Sequence, residues 1–392
     1  MRHRVLVVGS VPLAKPWNGA DKNLARLLVR RDPDNHFVVQ TNLEEEWGDP
    51  RHVTAVRWRR TDPMPTTAQK LRAFAYTLRH SGSADLIHLV ATVHSPTPLA
   101  GVALRAVSRL RRRPVLHTVP SVGDRPLDRR NFVGDATVVV SEHTRRRLTE
   151  AGIPKVFLIY PPLDVDALEP QNQDAPAQVR RRLGLGQKAI LYPAHYGERS
   201  GISETLRAFA EARALRGLED TTLVLACRTH PWQDREHEER TVLDLAEELG
   251  IKGAVRITGS VADMPALILA CTVTALVPEK LGGKMDLPLV VLESLALGRP
   301  AIVSDRAPIN EALLDGGGYA VPYGDVRALS RAMSRLLGDS RLRERLAERG
   351  RAAVREACDP GQVVEEYHRT YDLLSQTGAR RSLASSQGGG VV

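Results

Sequence analysis

KMDLPLVVLESLALGRPAIVSD, residues 284–305, is the stretch on which the reading of this chain turns. Its spacing predicts a helix that opens at Pro288 and stops at Gly298. Asp286 is the N-cap candidate, Pro288 sits in the first turn, and Gly298 supplies a left-handed C-terminal cap. A short strand over Ala275–Val277 precedes it, followed by a glycine-bearing loop over Glu279–Asp286. Downstream, Ala301–Val303 reads as the next strand and leads through Ser304 and Asp305 into a second short helix near Ile309–Leu314. In an open parallel sheet, such a strand–loop–helix–strand unit brings its loop to the ligand-binding edge.

Glu293 stands out within that helix. Its neighbours one turn away are Leu289, Val290, Ala296 and Leu297, and a helix apolar all round is a buried one. A carboxylate there must find hydrogen-bond donors or shift its pKa. Two adjacent hydroxyls of a bound ribose would serve, since one carboxylate accepts both. The free amides at the helix start suit a diphosphate. The plainer alternative is that Glu293 reaches solvent or caps a loop.

Composition narrows the classes. A chain of 392 residues exceeds what one hydrophobic core usually supports, so two domains are expected. No apolar run approaches the ~20 residues of a membrane-crossing helix, and MRHRVLVVGSVPL at the start reads as a first strand. Cys227, Cys271 and Cys358 form no metal or disulfide spacing and fit a reducing cytoplasm as small core residues. The net charge of +9 comes from arginine, with 47 arginines against eight lysines. Arginines cluster at 109–113, 129–130, 145–147 and 180–182, but aromatics are only 4% and not interleaved with them, so nucleic-acid binding is not expected. The clusters at 109–113, 129–130 and 145–147 would suit an anionic small molecule or an anionic membrane surface.

Along the chain, apolar strands alternate with helices, the pattern of parallel sheets covered on both faces. RVLVVGS, HFVVQTN, VTAVRW, DLIHLV, PVLHTV, ATVVVS and VFLIYPP supply the strands of a first domain over residues 1–165. A polar, proline-bearing segment, 166–187, reads as a linker. The alternation then restarts and carries a second domain over 188–358, a terminal helix over 359–376 that returns to the first domain, and a disordered tail over 377–392. The expected architecture is α/β, with two doubly wound Rossmann-like domains facing across a cleft.

Laid out in this order, the chain resembles the family 4 retaining glycosyltransferases of the GT-B fold. The resemblance rests on the first strand and its loop to Gly19, on DLIHLVATVH, on VVVSEHTRRRLTEAGIPKVFLIYPPLD, on VRITGSV, and on VPEK followed by PLVVLESLALGRPAIVSDRAPINEALLDGGGYAVPYGD. It implies transfer of a sugar from a nucleotide-diphosphate sugar to an acceptor hydroxyl, with the donor mainly on the second domain and the acceptor mainly on the first. The acceptor is then a small or lipid-linked molecule, and neither a cofactor nor a metal is expected. By the same resemblance Glu293 holds the ribose hydroxyls. The family carries a second glutamate eight positions earlier, where this chain has Met285. It also has an arginine and a lysine after the first strand of the domain, where this chain has His195 and Ser200. Arg199 and Lys284 are the expected substitutes on the diphosphate. The donor set is thus Gly19, His195, Arg199, Lys284, Met285, Asp286, Leu287, Pro288, Leu289 and Glu293. His94, His117 and Lys284 stand nearest the chemistry, while His88 is expected in the core. A degenerate, binding-only GT-B protein and a phosphorylase-like enzyme with a nonstandard donor are the rival expectations.

Overall fold

The computed structural model describes residues 2–9, 13, 20–41, 47, 51–57, 67–93, 98–123, 127–170, 172–197, 199–229, 233–259, 261–281, 285–314 and 316–387. The chain divides into two compact units, one of Met1–Pro162, Gly282–Asp286 and Pro360–Val392, the other of Leu163–Leu281 and Leu287–Asp359.

The first unit contains β1 (Arg4–Gly9), α1 (Ala20–Arg31), β2 (His36–Thr41), β3 (Val53–Arg57), α2 (Thr67–Ser81), β4 (Leu86–Val90), α3 (Pro98–Arg111), β5 (Val115–Val119), β6 (Ala136–Val139), α4 (Glu142–Glu150) and β7 (Val156–Leu158). Its seven strands run in the order β3-β2-β1-β4-β5-β6-β7, and every pairing is parallel. The order reverses between β1 and β4, so strand-end loops there border an open crevice.

The second unit contains α5 (Ala175–Leu183), β8 (Lys188–Tyr192), α6 (Ile202–Arg213), β9 (Thr221–Leu225), α7 (Arg235–Glu248), β10 (Val255–Ile257), α8 (Met264–Ala270), β11 (Val273–Leu276), α9 (Leu289–Ala296), β12 (Ala301–Ser304), β13 (Gly318–Val321), α10 (Val326–Gly338) and α11 (Ser340–Ala357). Its sheet, β10-β9-β8-β11-β12-β13, is again all parallel, with the reversal between β8 and β11. The strands bury both faces, and α9 packs its buried Val291, Leu292, Leu295 and Ala296 toward them.

The last helix, α12 (Pro360–Gln387), belongs to the first unit and completes its core. Tyr367 and Tyr371 are fully buried, and their hydroxyls meet Thr118 Oγ1 at 3.1 Å and His88 Nδ1 at 2.9 Å. His88 Nε2 lies 2.8 Å from Thr118 Oγ1. His88 is therefore a core histidine, and burial pushes its pKa down to about 3.

Three expectations are corrected. The segment 166–187, read as a linker, carries regular structure of the second unit, a 3₁₀ turn at Asp166–Leu168 and α5, which packs on α8. The tail is helical as far as Gln387, since no proline or glycine pair interrupts α12 before Gly388. The short element after β12 is a 3₁₀ helix, Ile309–Leu313.

Candidate functional site

In the second unit the loops after β8 and β11 flank the point where the strand order reverses. Gly201 joins them at the start of α6. Its φ is +81°, and a Cβ there would collide with the carbonyl oxygen of Val277, so only glycine lets the two loops approach. The Glu279 amide donates to the Arg199 carbonyl at 3.0 Å, and Ser304 Oγ donates to the Pro278 carbonyl at 2.8 Å. These backbone ties hold the loops after β8, β11 and β12 as one rim.

Glu293 lies in the middle of α9, one turn beyond its start. The residue is half-buried, and among the described residues no side chain or amide hydrogen-bonds or ion-pairs with it. Burial alone pushes its pKa up to about 7. The surrounding polar groups are already matched: Ser294 Oγ donates to the Val290 carbonyl at 2.7 Å and lies 2.8 Å from Thr274 Oγ1. A half-buried acceptor at a strand-reversal crevice, with no protein donor, is open to donors from water or from a ligand.

The helix begins one residue later than its sequence suggests. Pro288 occupies the N-cap position, with φ −59° and ψ 118°, and its carbonyl accepts from Val291 N–H at 2.9 Å. The amides of Leu289 and Val290 therefore precede the intrahelical ladder. Gly298, at φ +69°, closes the other end as expected.

Asp286 is not the N-cap. It is buried in the first unit, where its Oδ2 accepts from Ser141 Oγ and Thr144 Oγ1, both at 2.6 Å, while its amide donates to the Pro120 carbonyl at 2.9 Å. Ser141 is itself the N-cap of α4 and accepts from Thr144 N–H at 3.1 Å. Burial pushes the Asp286 carboxyl upward, opposed by hydrogen bonds from Ser141, Thr144 and Ser121. Met285 and Leu287 on either side are also buried. These three side chains anchor the loop and present nothing to a ligand, contrary to their place in the expected donor set. A methionine packed in the core cannot stand in for the glutamate of the related pattern.

Arg199 lies on the rim, largely exposed, with Nε 3.4 Å from Glu279 Oε2. His195 follows β8 and pairs in register with Arg228, just beyond β9. Arg228 is an exposed cation beside the rim that strand-by-strand reading passes over. It comes into place only because β8 and β9 are neighbours. The one available signal was its position at the end of TLVLACR. In the first unit, His117 is not a strand-end group. It is 2% exposed inside β5, between β4 and β6, with Nε2 3.2 Å from the Ala91 carbonyl, and burial pushes its pKa down to about 4. A neutral, enclosed imidazole there serves packing, because a central strand has both faces covered. Gly19, His94 and Lys284 lie outside the described residues.

Residues 177–353 match the family described as glycosyl transferases group 1. The phosphatidyl-myo-inositol mannosyltransferase of Mycobacterium leprae is 30% identical over 252 residues, which is 63% of this chain and 62% of that protein. The D-inositol 3-phosphate glycosyltransferase of Salinispora arenicola is 28% identical over 326 residues, 75% of this chain and 68% of that one. Among solved structures, Anabaena HepE in complex with UDP and glucose superimposes with a TM-score of 0.72 at 16% identity, covering 94% of this chain and 99% of that one. Sucrose-phosphate synthase from Thermosynechococcus elongatus gives 0.72 at 19% identity, covering 96% and 100%. Two parallel-sheet Rossmann-like domains of this order are the GT-B fold, and within the second of them residues 177–353 are similar to the group 1 glycosyl transferases.

Proposed function

We propose that the protein is a retaining, metal-independent glycosyltransferase that moves a hexosyl group from a nucleotide-diphosphate sugar to an acceptor hydroxyl. The observation that carries this reading is Glu293, a half-buried carboxylate at the strand-reversal crevice of the second unit with no protein donor among the described residues. Ribose hydroxyls donate to its two oxygens. The diphosphate lies against the Leu289 and Val290 amides, where the helix dipole favours negative charge. Arg199 releases Glu279 to reach the phosphates, an exchange that costs little because an exposed ion pair is worth at most about 1 kcal/mol. Lys284, four residues ahead of Pro288, adds the second cation. Charge on the departing diphosphate is thereby met as it develops. That HepE was solved with UDP supports this donor class. The same reading gives Gly19 and His94 a place beside the donor sugar, and His195 a place near the phosphates.

The acceptor side fits an anionic membrane surface. Of the six large apolar side chains exposed among the described residues, Leu71, Phe74, Val102 and Leu110 stand on α2 and α3, which pack side by side, and are 40–73% exposed. Arg109, Arg111 and Arg112 continue from the same helix end. The other first-unit clusters are engaged locally: Arg145 and Arg146 with Glu142, Arg147 with the Gly123 carbonyl, Arg129 with the Ala151 carbonyl and Arg130 with Asp128. A lipid-linked acceptor suits this surface, and a cytoplasmic protein would meet an anionic leaflet there. A relative named for phosphatidyl-myo-inositol supports it.

A second reading, a nucleotide-sugar-binding protein without turnover, draws support from the buried Met285. Two measurements separate them. Calorimetric titration of UDP and GDP into wild type and Glu293→Ala tests the site, with a loss of about 1.5–3 kcal/mol expected for a hydrogen-bonded charged group. Slow donor hydrolysis without acceptor then marks a transferase. Tight binding with no hydrolysis and no transfer overturns the enzyme reading, and unchanged affinity in a folded Glu293→Ala variant removes Glu293 from the site.

A further inference from the structure

The strands of the second sheet are all parallel, so their starts lie at the edge opposite the loops that carry Arg199 and Glu279. At that opposite edge a cavity of about 500 Å³ opens among the starts of β8, β9 and β10 and the end of α5. Arg180, Arg213 and Arg256 line it against a single carboxylate, Asp220. Arg180 donates to the carbonyls of Ala270 at 2.7 Å and of Gly186, and Arg256 donates to those of Leu183 and Gly253, both at 2.8 Å. Neutral carbonyls fix the two guanidinium groups without cancelling their charge. Asp220 accepts from the Gln187 amide at 2.9 Å and, among the described residues, forms no ion pair with the three arginines.

Two groups at the cavity are left unmet. Arg213 Nε and the hydroxyl of the buried Thr221 have no hydrogen-bond partner. Both atoms are enclosed, so what the cavity offers an occupant is the guanidinium groups themselves. The occupant is an acceptor and an anion, since three guanidinium groups, two of them fixed, face one carboxylate.

We infer that this cavity binds a phosphate-type dianion, either inorganic phosphate or the phosphate of a phosphomonoester. The oxygens of such a group accept from the terminal guanidinium hydrogens of Arg213 and from those of Arg180 and Arg256 that the carbonyls leave over. Binding ties α5 to the starts of three strands, so occupancy stabilises the second unit by mass action. Nothing in this depends on the nucleotide reading of the opposite edge.

The test is thermal unfolding of the full-length protein against increasing sodium phosphate, with sodium chloride at matched ionic strength as the reference. A saturable rise in Tm with phosphate alone is expected. Arg213→Gln raises the half-saturating concentration about tenfold, the loss of one hydrogen bond to a charged group, whereas Arg199→Met leaves it in place. Glu293→Ala keeps the phosphate response while losing the nucleotide, so the two proposals fail separately. A second titration with glycerol 3-phosphate distinguishes the sources: tighter binding than phosphate assigns a phosphomonoester, weaker binding assigns the free ion. No saturable response in wild type, or an unchanged half-saturation in Arg213→Gln, overturns the inference.

Discussion

Glu293 couples the site to pH in a direction set by its environment. Its carboxyl titrates near 7 in the folded protein and near 4.5 when unfolded. The folded state therefore holds a proton that the unfolded chain has released, and stability falls as pH rises from about 4.5 through 7. Glu293→Gln should remove this dependence, gaining up to about 3 kcal/mol over wild type at pH 8 and nothing at pH 4, as read from denaturant midpoints. Nucleotide binding has the opposite slope. The ionised carboxylate accepts the ribose hydroxyls, so affinity for the nucleoside diphosphate should weaken about tenfold between pH 8 and pH 6 in wild type. In Glu293→Gln it should stay flat. A wild-type affinity without pH dependence would mean that another group meets the ribose. The half-buried carboxylate could be read from the apolar residues at positions 289, 290, 296 and 297. The anchoring role of Asp286 could not, because its partners Ser121, Ser141 and Thr144 lie more than 140 residues upstream and only the fold unites them.

At the scale of elements, α9 and its rim were legible because local rules suffice there: a proline near the start, a glycine at the stop, apolar strands on either side. His117 was not legible, because the apolar pattern gives strands but not their order, and β5 is enclosed only through its neighbours β4 and β6. Two predictions belong to this level. Arg199→Met and Lys284→Met should each cut turnover at subsaturating donor, and the double variant should lose less than the sum, as for two groups on one diphosphate. Wild-type turnover in either single variant removes that residue from the clamp. On α2 and α3, sedimentation with phosphatidylglycerol vesicles should occur at low salt and fade as screening shortens the reach of Arg109, Arg111 and Arg112. Leu71→Ser with Phe74→Ser should weaken it at every salt concentration, because insertion of apolar side chains is not screened. No binding at low salt, or binding unchanged in the double variant, would leave this face a solvated surface.

For the whole molecule, the unit borders were only partly visible in the sequence. The composition shift after Asp164 marks a change of character, but the first unit also draws in 282–286 and α12, which no local pattern announces. Deleting everything after Asp359 should expose His88 and Thr118 where Tyr371 and Tyr367 had covered them. Losing two buried tyrosines costs about 3–5 kcal/mol each, against a total stability of only 5–15 kcal/mol for a typical domain. Limited proteolysis of that truncated protein should cut the first unit and spare the second. Equal resistance of both would show that α12 is dispensable.

The return of α12 also fixes the order in which the chain can mature on the ribosome. Synthesis runs from the N-terminus at about 5–20 residues per second, and domains ordinarily fold as they emerge. Here the segment translated first is finished last. Thr118 and His88 wait for Tyr367 and Tyr371, some 250 and 280 positions later, while the second unit can close around its own sheet in between. A chain broken before those positions lacks the final layer of its first unit. Completion of that unit is thereby tied to the synthesis of α12.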